Sequence, residues 1–140
     1  MSNSDNPKLG RDFQVLVRER LEDEYHQQFE LEPSILLGKP EKPHKFDLAN
    51  DDRTIVVECK NYKWTDSGNV PSAKLMGLDE AVFYFSFLPE DTTKLLCMSE
   101  SRHPSKKESL AEYYVRVHGH LLRDVTVLEI SKDKGIKIVR

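Results

Sequence analysis

The stretch KFDLANDDRTIVVECK, residues 45–60, decides the fold of this chain. Its polar centre, residues 50–53, separates two runs that favour β-strands, and this pattern predicts a β-hairpin. Because side chains alternate along a strand, Glu58 and Lys60 share one face of the second strand. Pairing across the turn places Asp47 opposite Glu58, or one pair away, on that same face.

Two carboxylates on one face of a hairpin repel each other unless a cation lies between them. Asp47 and Glu58 would supply only oxygen ligands, and oxygen ligands suit a hard divalent cation such as Mg²⁺ or Mn²⁺. The hairpin therefore predicts a divalent metal site.

The arrangement Phe-Asp-x10-Glu-Cys-Lys resembles the active site of the PD-(D/E)xK nucleases, the restriction-endonuclease-like superfamily. This resemblance implies a metal ion held by Asp47, Glu58 and the backbone carbonyl of Cys59. It also implies that Lys60 orients the attacking water and the scissile phosphate. Phe46 stands where a proline often precedes the first acid. The alternative interpretation is an exposed hairpin face with a surface Glu–Lys pair.

The resemblance implies two auxiliary residues. Gln14 occupies the position on the first helix where many members carry a glutamate, and Lys74 matches a basic residue near the phosphate. Basic and aromatic side chains that flank the site are expected to bind nucleic acid, namely Lys45, Tyr62, Lys63 and Trp64. The alternatives are an ordinary helix residue for Gln14, a solvated lysine for Lys74 and half-buried packing for Trp64.

The order of predicted elements agrees with the resemblance, which implies an α/β fold with a mixed sheet flanked by helices. The resemblance covers an αβββαβ core over about 9–100. A further helix and a hairpin follow this core. Residues 1–8 are expected to be a disordered lead, and 9–140 a single restriction-endonuclease-like domain. Outside the site hairpin, the predicted elements are a helix from Leu9 to about Phe29, a strand from Ser34 to Gly38, a helix from Pro71 or Ser72 to Leu88, a strand from Lys94 to Met98, a helix opened by a capping box at 105–108, and strands at 125–130 and 136–139.

Composition limits the class of protein. The chain has 140 residues, of which 38% are hydrophobic and 32% charged, as expected for a globular domain outside the membrane. No apolar run approaches the ~20 residues of a membrane helix, and the first residues lack a signal-peptide pattern, so we expect a cytoplasmic protein. Cys59 and Cys97 have no CxxC partner, which argues against a zinc site.

These patterns favour a Mg²⁺- or Mn²⁺-dependent nuclease that hydrolyses phosphodiester bonds of DNA, with RNA the less favoured substrate. The alternative is a catalytically silent nucleic-acid-binding or assembly module that keeps the nuclease fold. The net charge of −3 argues mildly against a non-specific nucleic-acid coat protein. The segment Ala81–Leu88 is apolar on nearly every side, which predicts a homodimer.

Overall fold

The computed structural model describes residues 6–140 and shows a mixed α/β fold, in which helices flank both faces of a six-stranded sheet. Residues 1–5, part of the predicted disordered lead, lie outside the described residues. The elements are α1 (Pro7–Tyr25), β1 (Phe29–Leu31), β2 (Ser34–Leu37), β3 (Lys42–Lys45), β4 (Leu48–Asn50), β5 (Ile55–Lys60), α2 (Ser72–Phe85), β6 (Thr93–Ser99), α3 (Leu110–His118), a 3-10 turn (Gly119–Leu121), β7 (Thr126–Ser131) and β8 (Gly135–Ile138).

The main sheet has the strand order β1-β4-β5-β6-β7-β8. The central strands β5, β6 and β7 run parallel, whereas β1, β4 and β8 join by antiparallel pairing. The prediction of a mixed sheet flanked by helices is confirmed. The C-terminal hairpin, β7 and β8, is also confirmed, and it extends the main sheet beside β6.

The core has two halves, one on each face of the sheet. Phe13, Val17 and Leu21 of α1 pack on one face with alternate residues of the strands, including Val57. On the other face, α2 and α3 pack over the intervening residues, including Val56. The strand β5 is thus buried on both sides, as a central strand of a parallel segment should be.

The predicted site hairpin is confirmed as β4 and β5. Its turn is held by Asn50, which is 1% exposed. The Asn50 amide donates to Thr54 Oγ1 over 2.8 Å, and its Oδ1 accepts the Ile55 N–H over 2.9 Å. The polar residues that marked a turn in the sequence therefore bond to the backbone and to each other in the structure.

The first helix differs from its prediction at both ends. It begins at Pro7, because the Asn6 side chain accepts the Lys8 N–H and caps it. It ends at Tyr25, because His26 adopts a left-handed conformation with φ 53°. Phe29, predicted as the helix end, instead begins β1, a strand that the sequence did not predict, and is buried there.

The predicted strand at 34–38 is observed as β2, but in a separate two-stranded sheet with β3. The strand β3 was not predicted as a separate element, and it pairs only with β2. Gly38, at φ 80°, lies at the start of the connection that reverses the chain between β2 and β3.

The end of α2 and the start of α3 also differ from prediction. The helix α2 stops at Phe85 rather than Leu88, because the next residues form tighter bonds, such as Leu88 N–H to the Phe85 carbonyl. The capping box predicted at 105–108 is wrong. Ser109 and Glu112 form the box instead, and α3 begins at Leu110.

None of the helices within residues 6–140 has the length and apolar character needed to cross a membrane.

We expect Ser109→Ala to lower the free energy of unfolding by about 1–2 kcal/mol, because the Glu112 N–H would lose its acceptor at the helix start. The control is Ser105→Ala, at the box predicted from sequence, which should change that free energy by less than about 0.5 kcal/mol. Urea unfolding followed by circular dichroism measures both. Equal losses in the two variants would contradict the assignment of the cap.

Candidate active site

The hairpin register brings Asp47 and Glu58 together. Leu48 pairs with Val57, and the Asp47 N–H also donates to the Val57 carbonyl over 3.2 Å, so Asp47 lies within one pair of Glu58, as predicted. The same Asp47 N–H also donates to Glu58 Oε1 over 3.1 Å. The backbone of one acid therefore holds the side chain of the other.

The chain bends at Asp47, and this corrects one expectation from the sequence. Strand alternation predicts that Phe46 and Leu48 point to the same side. Both are fully buried, but Phe46 packs on the α2 side of the sheet and Leu48 on the α1 side. The reason is that Phe46 has left the β5 ladder, since its N–H donates to the Pro33 carbonyl over 3.1 Å.

The Asp47 carboxylate is oriented from two directions. The Cys59 N–H donates to Oδ2 over 2.7 Å, and the Gln14 amide of α1 donates to Oδ1 over 3.0 Å. Gln14 is therefore at the site, as predicted, and it acts there as a hydrogen-bond donor. The Cys59 side chain packs on the α1 side with Val57, which confirms the predicted alternation along β5.

Lys60 and Glu58 share a face, as predicted. Lys60 Nζ lies 4.0 Å from Glu58 Oε2, and the side chains are 24% and 11% exposed. The pair is therefore partly buried, unlike the surface Glu–Lys pair of the alternative interpretation.

The electrostatics of the site leave its negative charge only partly balanced. Burial, with the Asp47 charge beside it, raises the pKa of Glu58 to about 8. Burial also raises the pKa of Asp47, although the Cys59 N–H and Lys60 oppose this. For Lys60, burial lowers the pKa, but Tyr62, Glu58 and Asp47 together outweigh burial and raise it.

A divalent cation would fit this donor set. Asp47 and Glu58 present carboxylate oxygens, and their shared burial favours neutralisation by a cation. In an extended strand, the N–H and C=O of one residue point to the same side, so the Cys59 carbonyl lies on the side where its N–H meets Asp47. Within residues 6–140, no three His, Cys, Asp or Glu side chains gather into a metal-binding group, and the Cys59 carbonyl would add a third oxygen ligand to the two carboxylates.

Tyr62 and Lys74 lie beside the site. Lys60 Nζ is 5.9 Å and Lys74 Nζ 5.4 Å from the centroid of the Tyr62 ring. Both lysines are thus within range of a cation–π interaction. The structure therefore brings Lys74 of α2 to the same ring as Lys60 of β5.

The other predicted nucleic-acid-binding residues are not gathered in the same way. Trp64 packs edge-on against Tyr113 at 5.3 Å and His103 at 4.8 Å, so the structure agrees with the half-buried alternative. Lys45 and Lys63 are exposed on the surface.

Sequence reasoning missed the contacts of two titratable neighbours of the site. Glu80 of α2 contributes to the raised pKa of Glu58. The His44 ring stacks on Tyr84 at 3.7 Å, and burial lowers the pKa of His44 although Glu80 and Asp47 oppose this. The i, i+4 spacing places Glu80 and Tyr84 on one face of α2, but no pattern in the sequence joins that face to the site hairpin.

Comparison with known proteins gives no relative: no protein-family model, curated protein or solved structure matches the chain.

We expect the free energy of unfolding to fall as pH rises from about 4.5 to about 8. Glu58 holds its proton more tightly in the folded state, where its pKa is about 8, than in the unfolded state, where it is 4.5. The stabilisation is thus complete at low pH and is lost through this window, at up to about 1.4 kcal/mol per pH unit. Denaturant unfolding at several pH values measures it.

In Glu58→Gln, the free energy of unfolding should depend less on pH between about 4.5 and about 8. The amide is neutral throughout this range and can still accept the Asp47 N–H. Glu90→Gln, at an exposed loop position, is the control and should leave the slope unchanged. The assignment fails if the slope in Glu58→Gln equals that of wild type.

Proposed function

We propose that this protein is a Mg²⁺- or Mn²⁺-dependent nuclease that hydrolyses phosphodiester bonds of DNA, with RNA as the less favoured substrate. The observation that carries the proposal is the convergence of Asp47, Glu58 and Lys60 on one end of a buried hairpin. Such a set has the chemistry for phosphodiester hydrolysis, because it combines metal ligands with a cation for the phosphate.

The proposal includes a restriction-endonuclease-like fold. Supporting it are the positions of α1, which supplies Gln14, and α2, which supplies Lys74, on the two sides of the hairpin strands. The order α1, hairpin strands, α2 and β6 matches the predicted core except at its first strand, 34–38, which is β2 in the separate sheet. The unpredicted strand β1 takes the place beside β4 in the main sheet, and β3 is a further strand that pairs only with β2.

In this proposal, Asp47, Glu58 and the Cys59 carbonyl hold the metal ion. When bound, the ion would act as a Lewis acid and would lower the pKa of a water molecule bound to it. The Cys59 N–H and the Gln14 amide keep the Asp47 carboxylate in one orientation before substrate arrives. Lys60 donates to a non-bridging phosphate oxygen and stabilises the negative charge that develops there during attack.

The alternative is a silent nucleic-acid-binding or assembly module. One observation favours it: the neutral Gln14 amide already donates to Asp47 Oδ1. A donor at this position adds no negative charge for a second metal ion and competes for an oxygen of the first. In that case the site would bind nucleic acid without cleaving it.

Cleavage of single-stranded, duplex and branched DNA in Mg²⁺ or Mn²⁺ tests the proposal. Asp47→Ala should abolish both divalent binding, measured by calorimetry, and cleavage. Lys60→Ala should retain divalent binding, because both carboxylates remain, and lose about a hundredfold in cleavage rate. Lys106→Ala, an exposed lysine remote in sequence from the hairpin, is the control and should cleave at the wild-type rate.

Three results would count against the proposal. Divalent binding that is equal in wild type and Asp47→Ala would remove the metal site. Unchanged cleavage by Lys60→Ala would remove Lys60 from the mechanism. DNA binding without cleavage in either metal would favour the silent module.

We further propose that the protein forms a homodimer through the outer face of α2. Supporting this, Met76 and Phe83 of α2 are 71% and 61% exposed, and Phe87, in the tight turn after the helix, is 48% exposed with its ring edge-on to Phe83. A second copy would cover these side chains, and two sites would suit cleavage of both strands. The cytoplasmic location stays a prediction.

Light scattering at micromolar concentration should give a dimer mass for wild type and a monomer mass for Phe83→Asp, because a charge in that apolar contact would be desolvated. Glu90→Lys is a charge change at an exposed position beyond α2 and should remain dimeric. A monomeric wild type would contradict the proposed dimer.

A further inference from the structure

A cavity of about 300 Å³ lies beside α1, at the carboxyl ends of the three parallel strands. Its lining includes Asn61, Ser99 and Ser131, which lie at or just after the ends of β5, β6 and β7. In open α/β sheets, ligands bind in the crevice outside the carboxyl ends of the strands. The volume is at the lower limit of small-molecule sites, so the cavity would hold one small ligand.

The cavity and the candidate active site lie on opposite faces of the end of β5. Lys60 shares the face of Val56, which packs on the α2 side, whereas Asn61 continues the face of Cys59, which packs on the α1 side. Asn61 directly follows Lys60 in the chain. A ligand that contacts Asn61 therefore lies next to the residue that is proposed to hold the scissile phosphate.

The cavity has an apolar wall and a polar edge. Phe13 and Ile130 line it and are only 7% and 1% exposed, and Leu9 and Leu16 of α1 extend this wall. Asn61 belongs to the polar edge and is half-buried, and its amide has no hydrogen-bond partner within residues 6–140. Because an amide carries both donors and an acceptor, Asn61 can form paired hydrogen bonds with a ligand in the cavity.

The charges around the cavity favour an anionic ligand. Two acids line it, Asp12 and Glu100, but each already has a lysine ammonium group at 3.1 or 3.3 Å. Lys63 and Lys132 also line it and are exposed, and neither forms an ion pair in the part of the chain that the structure describes. The lysines without ion pairs therefore leave positive charge at the mouth of the cavity.

A nucleotide combines the three properties that these features select. The faces of its base pack on apolar side chains, the edge of its base pairs with an asparagine amide, and its phosphate pairs with lysine. A cavity for one small ligand has no room for a base pair. The base would therefore have to be unpaired, as it is in the pockets of proteins that take a base out of the stack.

We propose that this cavity binds one unpaired nucleotide of DNA, next to the phosphodiester that the protein cleaves. This inference deepens the proposed function and rests on it for the statement that the nucleotide belongs to DNA. It names the substrate class as DNA with an unpaired nucleotide at the cleavage position, because a paired base would first have to be unstacked at a cost in free energy. Lys63, predicted from the sequence to bind nucleic acid, would contact the backbone at the mouth of the cavity.

Deoxyadenosine monophosphate is the first probe, titrated by calorimetry without divalent metal. Wild type should bind it about tenfold more tightly than deoxyribose phosphate, which keeps the charge but has no base to pack on the apolar wall. Asn61→Ala should weaken binding of deoxyadenosine monophosphate about tenfold, because the paired amide–base contact is lost. The control Gln28→Ala removes an exposed amide outside the cavity and should bind like wild type.

A second pair of variants tests the apolar wall and leaves Asn61 intact. Leu9→Glu places a carboxylate on that wall in the first turn of α1, where the helix dipole favours an acid. It should weaken nucleotide binding about tenfold, because burial against the base would desolvate the charge. Val15→Glu makes the same change at a 37% exposed position of α1 outside the cavity and should bind like wild type. Circular dichroism establishes that each variant is folded.

A duplex with one bulged nucleotide and the same duplex fully paired test whether the nucleotide belongs to DNA. Fluorescence anisotropy without divalent metal measures the binding of both. Wild type should bind the bulged duplex about tenfold more tightly, because its extra nucleotide enters the cavity without unpairing. Asn61→Ala and Leu9→Glu should lose this preference, and Gln28→Ala and Val15→Glu should keep it.

The inference is overturned if deoxyribose phosphate binds as tightly as deoxyadenosine monophosphate, or if Asn61→Ala and Leu9→Glu bind like their controls. Binding of the free nucleotide with equal binding of the two duplexes would also overturn it, and would assign the cavity to a free nucleotide. These measurements need neither metal nor cleavage. A preference for the bulged duplex without cleavage in Mg²⁺ or Mn²⁺ would reject the nuclease and keep the role of the cavity, whereas cleavage without that preference would do the reverse.

Discussion

The site depends on one short hydrogen bond, the 2.7 Å contact from the Cys59 N–H to Asp47 Oδ2. At this point the chain that contains Asp47 has left the β5 ladder. The Cys59 N–H therefore donates to a side-chain carboxylate instead of a backbone carbonyl. The reciprocal contact, from the Asp47 N–H to Glu58 Oε1, holds the second acid. With both contacts in place, two acids lie close together at one end of the buried strands β4 and β5. The Gln14 contact from α1 adds a third restraint.

Burial of these acids has an electrostatic consequence. A pair of carboxylates in a low-dielectric environment is stable only if protonated or matched by positive charge. Lys60, at 4.0 Å from Glu58, supplies part of this charge, and the pKa of Glu58 remains raised. The same imbalance attracts a divalent cation, so the feature that weakens the fold at high pH is the one that supports the proposed metal site.

Local sequence patterns predicted the hairpin well, because strand alternation and turn chemistry depend on neighbouring residues. The turn around Asn50, the shared face of Glu58 and Lys60, and the opposite placement of Cys59 all follow from those rules. The bend at Asp47 could not be predicted this way, because it depends on the Phe46 N–H bonding to Pro33, thirteen residues earlier. The cap of α3 was misplaced by four residues, since two serine–glutamate pairs have the same spacing and only packing separates them.

The sequence by itself determined the acids, the lysine and the order of the main elements, since these follow from residue type and periodicity. The resemblance implied that Gln14 and Lys74 join them, and only the tertiary structure decided that Gly77 and Glu80 of α2 lie beside the site as well. No local pattern specifies these partners, because the contact of a helix with a strand end depends on how the whole core packs. Gly77 illustrates the point: in the sequence it is a weak helix residue, and in the fold it is the space that the Tyr62 hydroxyl occupies.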